Sequence, residues 1–352
     1  MSARSSGTRW GEVVTRILCG SFLLLIADLH ASAHHSRATF YDSSQVVETQ
    51  GVITRVIWRN PHTRFWLEDD QGNEWALETT PPAMLSRRGV GSELLTVGTR
   101  VRVAGPPARF VANAMEVSNL LLPDGSEVRI QPGAEPYWSD EAPALAAPAF
   151  DEADVRAAEG SANGIFRVWS RDVGIRLVLE DGYPLTESAR AAQEAYDPVA
   201  DNPIPGCTPK GMPMIMTNPY PFEFVDRGDE IHLRIEEYDR VRVIHMQPET
   251  DEPESSEPVP SPLGHSVGRW EDGDLVVTTT HINFMHFGSG IALSADVELL
   301  ERFTLSADER RLDYTLTVTD PETFTEPLTG RRNWVWVPGE AVEPWACFVE
   351  LE

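Results

Sequence analysis

Cysteine is scarce in this chain: Cys19, Cys207 and Cys347 are the only three in 352 residues. So few cannot build a disulfide framework, and no Cys-x-x-Cys pair is present for zinc or thiol exchange. His-Glu-x-x-His and similarly tight ligand spacings are absent, and no Gly-x-Ser-x-Gly elbow precedes a helical stretch. Those gaps argue against zincin and α/β-hydrolase chemistry. Positive charge is also short, with 29 Lys and Arg against 55 Asp and Glu and a formal net charge of −26. Such a surface repels nucleic acid and anionic lipid, so no nucleic-acid partner is expected. Apolar runs long enough to cross a bilayer, about 20 residues, are missing too.

The longest apolar run, Ile17 to Ile26, follows Arg4, Arg9 and Arg16 and precedes Ala31-Ser32-Ala33. A positive start, a short apolar core and an A-x-A site make a secretory signal peptide over residues 1–33. The expectation is a periplasmic or secreted chain that starts at His34-His35-Ser36 and has no stable membrane span. Two cysteines then remain. In an oxidising compartment Cys207 and Cys347 most simply form one disulfide, tying the last strand to a Pro-rich stretch.

The rest reads as all-β in two domains. Over 34–131, short β-branched and aromatic runs alternate with turns. RFWLEDDQGNEWALET is a hairpin about Asp70-Gln71-Gly72-Asn73, and AMLSRRG is a short helix ending at Gly89. Five or six strands with one helix in this span suggest a small OB-like barrel. Residues 132–160 are rich in Ala, Pro and acid and read as a linker with a helix near 151–158. Over 161–352 the β pattern returns. One helix stands at 185–196, capped by Thr186, and hairpins turn at Glu271-Asp272-Gly273-Asp274 and near Asp308. An acidic, Pro-rich tract fills 248–262. The second domain is expected to be an antiparallel, calycin-like β-barrel.

The start HHS, the run GVITRVIWRNPH, LETTPPAMLSRRG and LLPDG resemble an exported bacterial family of unknown function, over about residues 33 to 130. The second half resembles a C-terminal domain, also of unknown function, through GCTPKGMPMIM, NPYPFEF, GHSVGRWEDGDLVV, ERFTL and TVTDPETFTEP. It departs from that pattern after IHM, where the acidic tract replaces a short basic turn. The resemblance implies location and fold and brings no established activity.

Three constellations carry chemistry. A terminal His34 would offer its α-amine and its ring to one metal, a chelate no mid-chain histidine can form. A third nitrogen from His62, with His35 as a spare, would complete a site suited to copper, which binds nitrogen donors tightly. The same histidines read equally as a polar end and a turn residue. In the second domain, His265 and His281 fall near one end of a hairpin, with His286 beyond, and Asp320 lies in a later β run. They would serve acid–base or metal chemistry, or simply form strand-end hydrogen bonds. The Glu301-Arg302 pair reads as a structural ion pair. Finally, many Met and aromatic residues, among them Trp169, Met212, Phe284, Met285 and Trp334, fill a core or line a cavity for an apolar small molecule. Three functions stay open: a binding protein for copper or an apolar ligand, a barrel enzyme using His265, His281 and Asp320, and a structural or partner-binding envelope protein.

Overall fold

The structure is a computed structural model that describes residues 40–131, 133–139, 150–171, 178–179, 183–197, 201, 208–247, 258–288 and 290–346. The expected signal segment, His34, His35, Cys207, Cys347 and residues 248–257 of the acidic tract lie outside the described residues. The expectation of an all-β chain holds. No helix among the described residues is long and apolar enough to cross a membrane.

The N-terminal sheet comprises β1 (Val47–Ile57), β2 (Arg64–Asp69), β3 (Glu74–Glu78), β4 (Arg100–Gly105), β5 (Ala114–Glu116), β6 (Asn119–Leu121) and β7 (Glu127–Arg129), in the order β5-β3-β2-β1-β4-β6-β7. The β2–β3 turn forms where expected because Asp69 accepts from the amides of Gln71 and Asn73 and from the Trp75 indole. The short helix α1 (Pro82–Ser86) starts on a proline and ends before Gly89, whose φ is 76°. The first five strands curl into a ring. Glu116 N donates to Pro106 O at 3.0 Å and Ala108 N to Ala114 O at 2.8 Å, joining β4 to β5. Gly105 permits that approach, since a β-carbon there would lie 1.9 Å from Glu116 O. Phe65, Leu67, Leu77, Leu85, Val103 and Met115 pack inside. This is the partly open five-strand barrel of the OB type.

Helix α2 (Glu152–Ser161), capped by Asp151, falls within the stretch expected as linker. Beyond it come β8 (Val168–Arg171), β9 (Val178–Leu179), helix α3 (Glu187–Ala195), β10 (Phe222–Asp226), β11 (Glu230–Ile235), β12 (Arg240–Met246), β13 (His265–Glu271), β14 (Asp274–Thr280), β15 (His286–Gly288), β16 (Ile291–Ala292), β17 (Glu298–Leu305), β18 (Arg311–Thr319) and β19 (Leu328–Val335). Nine of these close a barrel in the order β18-β17-β14-β13-β12-β11-β10-β8-β19, with β19 returning to β18. Every ring pairing is antiparallel except β12–β13. Thr186 caps α3, as expected, by accepting from Ala189 N.

Alternation decides the barrel interior. Along β18, Leu312, Tyr314, Leu316 and Val318 are buried while their neighbours are more exposed. Trp169, Phe222, Phe224, Phe303, Tyr314 and Trp334 fill the middle, several edge to face at 4.8–5.6 Å. Most of the aromatics singled out in the sequence are therefore core. The same alternation places Glu301 and Arg302 in two separate structural ion pairs. Glu301 points inward to Arg242 of β12, whereas Arg302 points outward to Glu271 and Asp274. Adjacent residues of a strand face opposite ways and cannot pair.

Candidate functional site

His62 sits in the turn between β1 and β2. Its Nδ1 lies 2.6 Å from Glu78 Oε1 on β3, and Arg64 Nε donates to Glu78 Oε2 at 3.0 Å. The β2–β3 register places Arg64 opposite Glu78, so the carboxylate is fixed by the sheet itself. Glu78 is buried and His62 is partly exposed. His62 and Arg64 border a cavity of about 40 Å³ that Ile57, Arg59, Asn60 and Ala346 also line. That volume admits a water or an ion. Tyr41 lies near the same carboxylate. Burial, then the charges of Glu78 and Glu116, push its hydroxyl pKa upward, against the pull of Arg64. The seven residues from Tyr41 back to His34 can span at most about 24 Å. No group of three His, Cys, Asp or Glu poised for a metal occurs among the described residues.

The barrel histidines do meet. His265, at the start of β13, and His281, just past β14, have ring centroids 6.4 Å apart, edge to face. His245 of β12 stacks on His265 at 5.1 Å. Glu230 of β11 binds His232 Nε2 at 2.9 Å and His245 Nδ1 at 3.2 Å, and the His232 contact leads in holding its carboxyl below the usual range. His232, His245 and Glu230 were not singled out in the sequence. Only the β11–β12 register and the parallel β12–β13 step bring them to His265. Asp320 ends β18 at the same end of the barrel, three strands from His265, or about 14 Å at 4.8 Å per strand. It is buried, accepts Ser294 N at 2.7 Å through Oδ2, and its carbonyl accepts the amides of Thr323 and Phe324. Those bonds make it the anchor of the β18–β19 connection.

His286 lies elsewhere, in an open cleft of about 640 Å³ lined in part by Tyr196, Asp201, Thr208, Phe284, Met285 and Ile291. Tyr196 stacks on the His286 ring at 6.2 Å and Phe284 meets it edge-on at 6.4 Å. Burial holds the His286 pKa below its ordinary 6.5. The cleft thus sets aromatic and aliphatic side chains, with Asp201 and Arg240 in its wall, around an imidazole that stays uncharged to lower pH than usual.

With these geometries in place, the comparison with known families is informative over part of the chain. The profile of a family of unknown function (DUF6152) matches residues 23–114, which agrees with the resemblance of the N-terminal part to a family without assigned activity. No curated protein and no solved structure matches the chain.

Proposed function

We propose that this chain is an exported binding protein that holds copper between a mature N-terminal His34 and His62. The observation that carries the reading is the His62–Glu78 contact. A metal-binding imidazole commonly gives its second ring nitrogen to a carboxylate, which fixes the tautomer and strengthens the free nitrogen as a donor. His62 Nδ1 is engaged in that way, leaving Nε2 for a ligand. Tyr41, seven residues after His34, lies near the same carboxylate. An amine and an imidazole from His34, with His62 as third nitrogen, favour copper among divalent ions. The strongly acidic chain would also gather cations.

The test is copper titration of protein purified with its native start. Glu78→Gln should bind about 10–100-fold more weakly, the usual cost of losing an orienting carboxylate. An unchanged dissociation constant would remove the argument from His62.

A second reading is favoured by the cleft at His286: an apolar small molecule bound against Tyr196, Phe284 and Met285. A cleft of this volume that sets aromatic and aliphatic side chains beside polar groups, Asp201 and Arg240 among them, is a usual form of small-molecule site. An uncharged, environment-sensitive naphthalene dye should bind at pH 7.5. Affinity should fall at least about tenfold in Met285→Glu, which places a charge in the lining. It should also weaken at acidic pH, because protonation of His286 charges the lining, and its depressed pKa sets that loss below the ordinary imidazole range. Equal dye binding by Met285→Glu would end this reading.

A further inference from the structure

The cleft at His286 lies at the end of the barrel where β12 and β13 begin. Arg240, the first residue of β12, and Pro262, just before β13, both line it. The sheet puts them there. Alternation with the buried Arg242 and Ile244 assigns Arg240 to the inward face of β12, at the barrel rim. The parallel register of Ile244 with Ser266, carried back four residues, sets Arg240 alongside Pro262. The aromatic wall is fixed by close packing. Gly290, at a φ of 77°, admits Tyr196, since a β-carbon there would lie 2.7 Å from Tyr196 Cβ.

Arg240 stands without a counter-charge. Its Nε is buried with no hydrogen-bond partner, and no carboxylate among the described residues pairs with the guanidinium. Acid is not in short supply, with 55 Asp and Glu against 29 Lys and Arg. The acids of the preceding turn are engaged elsewhere. Glu236 Oε2 accepts Glu343 N at 2.9 Å, Glu237 pairs with Lys210 at 3.1 Å, and Asp239 Oδ1 accepts Trp345 N at 3.0 Å. The next inward position, Arg242, has Glu301 as its partner. Asp201, in the cleft wall, is exposed, and its Oδ2 accepts Asp197 N at 2.9 Å. A guanidinium nitrogen withdrawn from water and left unanswered costs free energy that an arriving anion would recover.

We propose that this cleft binds a small amphipathic carboxylate, its aromatic or aliphatic body against Tyr196, Phe284 and Met285 and its carboxylate on Arg240. The inference rests on the reading of the cleft as an apolar-ligand site and adds the group that orients the ligand. The guanidinium fork matches the two oxygens of a carboxylate with parallel hydrogen bonds. Charge count selects a monoanion. Among the described lining residues Arg240 carries the positive charge, Asp201 a negative one, and burial keeps His286 uncharged at neutral pH. A phosphate monoester, with nearly two negative charges, would be left under-compensated. Asp201 does not cancel Arg240, because water screens an exposed carboxylate while the Nε side of Arg240 is dehydrated.

The test titrates two matched fluorescent probes into the intact protein at pH 7.5: a dimethylaminonaphthalene carboxylic acid, ionised at that pH, and its neutral primary amide. The carboxylate should bind about 10–100-fold more tightly, the range of a charge-assisted bidentate contact. Arg240→Gln should erase that preference and leave amide binding unchanged, since no bond of this guanidinium within the described chain is lost. Arg240→Lys keeps the charge without the fork and should retain part of the preference. If the native protein binds the amide as tightly as the carboxylate, the inference is overturned and the apolar-ligand reading stands. Binding of neither probe ends both. A preference that survives in Arg240→Gln overturns the assignment to Arg240, and a naphthalene phosphate that binds more tightly than the carboxylate overturns the choice of anion. The comparison of probes on the native protein needs no variant, so it decides even where Arg240→Gln does not fold.

Discussion

Glu301→Ala should cost the barrel about 3–5 kcal/mol of stability, the usual penalty for stranding one member of a buried ion pair. The Arg242 and Glu301 side chains are 1% and 0% exposed. Arg242 grips Glu301 with both terminal nitrogens, one at 3.1 Å, and gives its Nε to Ser266 at 2.9 Å. Thr279 accepts from Arg242 at 2.6 Å, and the Tyr314 hydroxyl donates to Glu301 at 2.9 Å. Five strands thus contribute one side chain each to a single buried network. Burial, then the Glu301 charge, pushes the Tyr314 hydroxyl pKa well up, so it remains a donor throughout the physiological range. Removing Glu301 leaves the Arg242 charge buried with two hydroxyls. The paired replacement Arg242→Met with Glu301→Leu should recover most of the loss, because apolar groups of similar volume need no partner. Urea unfolding followed by a barrel-specific signal measures both. A single-mutant loss below about 1 kcal/mol, or a double mutant no better than the single, would show that the network is not a closed ion pair.

Much of this architecture was legible because it depends on neighbours in sequence. The β13–β14 turn falls on Asp272-Gly273, both at positive φ, as a two-residue hairpin demands. Asp69 and Thr186 mark their turn and cap with side chains that bond a few residues along. The circuit of β1 to β5 follows from strand count and the break at Pro81-Pro82. What escaped depends on distant pairings. Arg242 and Glu301 are 59 residues apart, and each reads alone as a surface charge in a β run. His245 joins His265 only through the parallel β12–β13 step, which no local pattern announces. Asp320 looked like an acid–base partner because the sequence hides that two strands, β14 and β17, intervene. The attachment of residues 340–346 escaped because the Glu343 and Trp345 amides are answered by Glu236 and Asp239, more than 100 residues earlier. His62 could be read from its turn, but the carboxylate that orients it could not.

Acetylating the α-amine of His34 should abolish tight copper binding while leaving every histidine in place. The chelate proposed there needs a primary amine and an imidazole on the same residue, closing one ring around the metal. Acetylation turns that amine into an amide nitrogen and leaves no terminal amine to anchor copper. His34 then offers a ring alone, and the site falls from three good nitrogens to two that no longer share a ring. A loss of about a hundredfold or more is expected. His62→Ala should weaken binding less, because the amine and ring of His34 persist. Glu78→Gln should weaken it least, because it removes only the group that holds His62 Nδ1. Affinity of the native start should also fall as pH drops, since both the amine and the imidazoles must give up protons to bind. Copper titrations of the native start, the acetylated form and His62→Ala at pH 7.5 rank the three. Equal affinity of the acetylated and native forms would eliminate the N-terminal chelate, whatever His62 contributes. A ranking in which His62→Ala loses more than the acetylated form would move the metal to His62 and Glu78 and away from the terminus.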